Sequence, residues 1–151
     1  MNDYSQTFNH FLNRNIYGLE ADASEAMKNL KDCLLSIGEK EDTFFDIAAN
    51  IFHIFTETTL TNKELVFIRH VLNNNNITCD IDFFKNYHEQ ARKNSESFIK
   101  NLVSFIAAHV DTGLRNFLGV LAISTASVKG YLSAFDKIYY SEILDGWEKY
   151  Y

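Results

Sequence analysis

Five histidines, two cysteines and a few cations set among apolar residues are what this 151-residue chain offers for chemistry. A metal site wants converging His, Cys or carboxylate side chains, most simply one helical turn apart. His10, His53, His70, His88 and His109 are widely spread, and neither His-Glu-x-x-His nor Glu-x-x-His occurs, so no metal is expected. Nucleophilic catalysis finds no support either. There is no Gly-x-Ser-x-Gly elbow, the six glycines form no phosphate-cradling loop, and Cys33 stands before Leu34-Leu35-Ser36-Ile37 as an inert thiol of a helix face. The expectation is a protein without catalytic residues, one that binds rather than reacts.

His53 lies within Ile51-Phe52-His53-Ile54-Phe55, and Arg69-His70 within a run from Leu65 to Leu72. Long polar side chains in such runs are commonly hydrogen-bonded at the rim of a core. The functional alternative is an apolar pocket with a cationic gate, which suits a ligand with a long tail and an anionic head: the tail gains by burial and the head meets Arg or His⁺. On that reading Phe52, Phe55, Phe67 and Leu102 wall the tail of a fatty acid. Arg69 takes its carboxylate, and His70 and His53 stand at the polar end.

Composition narrows the classes. Fourteen Lys plus Arg against twenty Asp plus Glu leave a net charge of −6, which repels phosphate backbones, and no long basic cluster interrupts it. Nucleic acid is not an expected partner. The most apolar stretch, Phe98 to Val128, is broken by His109, Asp111 and Arg115, so no membrane span is expected. Two cysteines in unlike contexts and no signal peptide point to a reducing cytoplasm. Thirteen Phe and eight Tyr in a chain of this length suffice for one aromatic-rich core, and residues 1–151 read as a single domain.

These side chains must be positioned by helices, because the chain has no proline and its apolar residues recur at helical spacing. The patterning predicts six. They run from Asp3 to Ile16, from Ala23 to Ile37 with a stop at Gly38, from Asp42 through Phe55, and from the capping box Thr61-Asn62-Lys63-Glu64 to the run Asn73–Asn76. Two long antiparallel helices follow, Asp80 to His109 and Leu114 to Trp147, joined by a turn at Asp111-Thr112-Gly113. In the last, Leu114, Leu118, Leu121, Val128, Leu132, Phe135 and Tyr139 follow heptad-like spacing, with Phe117, Ser124, Tyr131 and Ile138 beside them. That seam predicts a homodimer through the final helix, the alternative being one wide core-facing stripe in a monomer.

Four shorter helices followed by two long ones, with an aromatic and Asn-rich segment from Leu65 to Phe84, resemble a globin-type sensor domain. More narrowly the chain is similar to small heme-free globin-like proteins of Bacillus that block sporulation by mimicking the sensor domain of a histidine kinase. The resemblance implies a globin-like all-α bundle, a hydrophobic tunnel for a fatty acid, an adjoining chamber for a small anion and competition with a sensor kinase for its signal. It implies no heme, although His70 could stand where a proximal histidine would. A second resemblance is local: Leu30-Lys31-Asp32-Cys33-Leu34-Leu35-Ser36-Ile37-Gly38-Glu39 looks like the death-motif helix of Bcl-2 proteins. It implies an alternative function, binding of death-motif peptides to inhibit apoptosis.

Overall fold

Left-handed residues and side-chain caps decide where the helices of this chain stop and start. In the computed structural model, which describes residues 3–109 and 112–146, eight helices follow one another: α1 (Ser5–Leu12), α2 (Ile16–Ser36), α3 (Glu41–Ile54), α4 (Asn62–Asn74), α5 (Ile81–Lys93), α6 (Ser95–Ala107), α7 (Leu114–Ser127) and α8 (Ala134–Asp145). The described residues form no strand, so the chain is all-α. Asp111 of the expected turn and Trp147 of the expected last helix lie outside the described residues.

Several boundaries follow the sequence. After α2, Gly38 adopts φ +89°, and the Glu39 N–H reaches back to the Leu34 carbonyl at 3.0 Å, closing the last turn. After α4, Asn76 takes the same left-handed conformation with φ +59°, and the Ile77 N–H donates to Leu72 O at 2.9 Å. Asparagine tolerates this region because its short amide bonds locally. The box at Thr61 forms as expected, with Glu64 N–H donating to the Thr61 hydroxyl and Thr61 N–H to the Glu64 carboxylate.

Other boundaries differ from the patterning. The Asn15 side chain accepts from Gly18 N–H, so α2 begins at Ile16 and takes Gly18 into its first turn. The two long final helices do not exist as such. Asn94 ends α5 and begins α6. Gly130, at φ +88°, ends the stretch after α7, and Ser133 with Asp136 opens α8 through a second capping box. The apolar spacing runs across Gly130 without a fault, and the stop depends on one left-handed residue.

The core explains why that spacing continues. Leu114, Leu118, Leu121 and Val128 are buried inside this chain, and α7 packs against α1, α2, α3 and α8, most extensively against α2. Four of the seven residues expected at a dimer face are therefore core residues. Leu132 and Tyr139 are half-buried, and Phe135, 66% exposed, stands at the surface with Tyr131 and Ile138. Small residues make the enclosure of α7 possible: Gly119, Ala122, Ser124, Ala126 and Ser127 are all buried. A Cβ on Gly119 would come within 2.7 Å of a Leu144 methyl, so α8 approaches α7 closely there.

The pairs α3–α4 and α7–α8 share a frame. A step of 72 positions takes Leu60 to Leu132, Thr61 to Ser133 and Glu64 to Asp136, and in both pairs the hydroxyl and the carboxylate form the same reciprocal cap. The two connecting loops lie against each other. Tyr131 O–H donates to the Glu57 carboxylate at 2.5 Å, and Lys129 Nζ donates to Phe55 O at 3.3 Å.

Candidate functional site

The aromatic residues of α3 and α5 meet only in part, and a cleft of about 870 Å³ remains between them. Phe45, Ala48, Phe52 and His53 of α3 form one wall, and Phe83, Phe84 and Tyr87 of α5 the other. Met27 of α2, Leu72 of α4 and Phe98 of α6 close the floor, and Ile77 to Asp80 of the connection between α4 and α5 close one end. Rings separated by their own bulk interdigitate poorly, which leaves space a smaller set of side chains would have closed. Phe83 (68% exposed), Tyr87 and Phe45 stand at the mouth. The volume falls within the roughly 300–1,000 Å³ of small-molecule sites.

His53 is the buried polar group of the wall. Its ring stacks on Phe84 with centroids 3.9 Å apart and planes 13° from parallel, and it meets Tyr87 edge-on. Its Nδ1 lies 2.8 Å from Nδ1 of His88, whose Nε2 lies 2.7 Å from the Glu57 carbonyl oxygen. Burial pulls the His53 pKa down to about 3, with His88 and the Arg92 guanidinium adding to the effect. Burial lowers that of His88 too, opposed by its bond to Glu57 O. The pair is thus neutral near pH 7 and supplies no cationic gate.

The cations expected to receive a carboxylate are elsewhere. Arg69 and His70 are exposed on α4 and do not line the cleft. His70 Nδ1 lies 2.9 Å from Glu20, on the side of α4 that meets α2. Arg69 has a weaker link to the site: its charge acts on Cys79, a lining residue whose thiol pKa burial raises. Among the described residues no Lys or Arg lines the cleft, whereas Asp46 and Asp80 do. Phe55, Phe67 and Leu102 are fully packed in the core, so of the expected binding residues only Phe52 and His53 reach the cavity. Sequence reasoning missed Phe84, Tyr87 and His88, although Phe84 and His88 sit one turn apart on the apolar stripe of α5.

A second cavity, of about 430 Å³, lies between the two connecting loops. Its charges are committed to the fold. Arg92 Nη1 donates to the carbonyls of His53, Ile54 and Thr56 at 3.0, 3.1 and 2.6 Å, which satisfies the end of α3 and opposes its negative pole. Lys129 Nζ pairs with Asp136 at 2.6 Å, both side chains 5% exposed, and also bonds Phe55 O and Ala126 O. Glu64, fully buried, is met by neutral donors: Glu57 N–H at 2.8 Å, Thr61 N–H at 3.1 Å and the Thr61 hydroxyl at 3.0 Å.

Among the described residues no three His, Cys, Asp or Glu side chains converge as a metal site, and no helix is long and apolar enough to cross a membrane. Leu30 and Leu34 of the death-motif-like segment point into the core at 0% exposure. Compared with known proteins, the chain matches no protein-family model, no curated protein and no solved structure.

Proposed function

We propose that this chain is a non-enzymatic binding protein whose cleft between α3 and α5 takes a long aliphatic chain. One observation carries the reading: an aromatic-walled cavity of about 870 Å³ with a single buried polar side chain, His53, in its wall. Burying a chain there gains about 0.8 kcal/mol per methylene, so a tail of a dozen carbons outweighs the cost of ordering it. Of the fatty acid expected from the sequence, the cleft supports the tail; the proposed carboxylate partner Arg69 stands outside it. Organic extraction and native mass spectrometry of freshly purified protein are the test. A co-purified or readily taken-up C14 to C18 aliphatic molecule is expected, and a protein that neither carries nor accepts one overturns the proposal.

Two wider proposals rest on this one. Competition with a sensor histidine kinase follows from the resemblance to heme-free globin-like sensors, whose remaining support is chain length and the aromatic, Asn-rich segment from Leu65 to Phe84, the expected order of four shorter and two long helices having given way to eight helices. A homodimer, if α8 forms it, uses Tyr131, Phe135 and Ile138. Light scattering should then give about twice the 17.4 kDa chain mass, and Phe135→Asp should halve it. The Bcl-2-like alternative predicts the opposite pair of results: a monomer without lipid that binds a death-motif peptide tightly.

A further inference from the structure

The hydrogen-bond chain behind the cleft wall determines which atom His53 can offer a ligand. A carbonyl oxygen only accepts, so His88 Nε2, 2.7 Å from Glu57 O, carries a hydrogen. In a neutral His88 the other nitrogen, Nδ1, is then a bare acceptor. It lies 2.8 Å from His53 Nδ1, which must be the donor. His53 is left with its hydrogen on Nδ1 and a lone pair on Nε2, and among the described residues the ring has no hydrogen-bond partner besides His88. Its Nε2 is also not among the buried polar atoms left without a bond, which places it at the cleft that His53 lines.

The charges around the cleft act in the same direction. Asp46 and Asp80 line it and, among the described residues, no Lys or Arg does, so a carboxylate head meets negative charge and an acceptor nitrogen, both repulsive to it. A positively charged head gains from the two aspartates at the rim, but to reach the buried His53 ring an ammonium must leave water for an aromatic-walled cleft, whereas a hydroxyl gives up far less hydration.

Resting on the reading of the cleft as an aliphatic-chain site, we propose that its ligand carries an uncharged hydrogen-bond donor, a long-chain primary alcohol in chemical class, whose O–H donates to His53 Nε2. The tail lies along Phe52, Phe84 and Phe98. His53 is a specificity-determining residue here: it receives the head group and admits neither an anion nor an ether.

Four chain-matched probes test this on the intact protein at pH 7.5: 1-tetradecanol, its methyl ether, myristate and tetradecylamine, each read by displacement of a fluorescent apolar dye and by native mass spectrometry. The alcohol should bind about ten-fold more tightly than the ether, which differs by the one donor, and by at least that factor over myristate. His53→Phe, which keeps a ring against Phe84, should bring alcohol and ether to equal affinity. Asp46→Asn combined with Asp80→Asn, the latter still able to cap α5, should narrow the gap to myristate. Equal binding of alcohol and ether, or tighter binding of myristate or the amine, in the unaltered protein overturns the head-group assignment while leaving the cleft reading intact. Binding of none of the four overturns the cleft reading itself.

Discussion

Where α3 carries Phe52, His53 and Phe55, α7 carries Ser124, Thr125 and Ser127 at the corresponding places, 72 positions on. The frames around them match: a helix, a loop ending in leucine, and a reciprocal cap that opens the next helix. What differs is volume. Small side chains let α7 be approached closely, and Leu121 to Ser127 are buried without a break, whereas the rings on α3 meet those of α5 only in part and leave the cleft. The loops differ in their chemistry as well. Glu64 is long enough to reach back to Glu57 N–H at the loop's start, but Asp136 is a methylene shorter, and the side chain of Lys129 comes to it instead. One frame thus stabilises a buried carboxylate with backbone dipoles and the other with an ammonium. What fills the frame decides whether a cavity remains beside it.

The largest expected effect separates the two loops. Lys129→Met strands the Asp136 carboxylate in the interior, and breaking a buried pair from one side costs about 3–5 kcal/mol. Glu57→Met, at the equivalent position, loses one exposed bond to Tyr131 and should cost far less. Urea denaturation gives both figures, and equal losses would break the comparison.

Acid should separate the helices next. His53 holds a folded-state pKa of about 3 against an ordinary 6.5, so below pH 6.5 the unfolded chain binds a proton that the folded chain refuses. Stability is therefore complete above pH 6.5 and declines as pH falls toward 3. At about 1.4 kcal/mol per pH unit for one proton, roughly 2 kcal/mol is lost by pH 5, and His88 adds to it in the same direction. His53→Phe should flatten this slope by about one proton's worth; α7 has only Thr125 at that place and nothing to titrate. An unchanged slope would show that the ring is already protonated in the fold.

The smallest effect sharpens the comparison from the α7 side. The hydroxyls of Ser124 and Ser127 are buried without a hydrogen-bond partner. Removing an unsatisfied buried group relieves a desolvation cost, so Ser124→Ala should stabilise by about 0.5–1 kcal/mol, read as a higher urea midpoint at unchanged slope. A loss of stability would point to a bond that forms in solution.

How far these features were legible follows from how local each one is. The cap at Thr61 and Glu64, the stop at Gly38 and the break within the asparagine run are set by residues within a turn of one another, and all three form. Gly130 and the second cap at Ser133 and Asp136 were equally local. There the apolar spacing from Leu114 to Tyr139 outweighed one glycine, and a core-facing stripe took on the look of a dimer seam. The repeat of leucine, hydroxyl and acid at a fixed step was the signal that would have divided that helix. Asn94 has no comparable signal, since no glycine or proline marks the turn. In the site, His53 and Phe52 were legible as polar and aromatic residues on one broad apolar face. Its partners were not, because His88 is 35 positions away and only the packing of α5 on α3 brings the rings together. Arg69 misled for the converse reason: a cation beside apolar residues in sequence lies on the outward arc of its helix.

The grip of Arg92 and Lys129 on the last turn of α3 has a kinetic meaning. Arg92 comes from α5 and Lys129 from beyond α7, and together they hold the carbonyls of His53, Ile54, Phe55 and Thr56. Helix ends usually fray, and their amides exchange with solvent through small local openings. For this end to fray, both cations must release their carbonyls, and each is tied to a different part of the fold, Arg92 to α5 and Lys129 to Asp136 of α8. The amides of the last turn of α3 should therefore exchange as slowly as those of the helix centre, with the opening of that turn coinciding with unfolding of the whole domain.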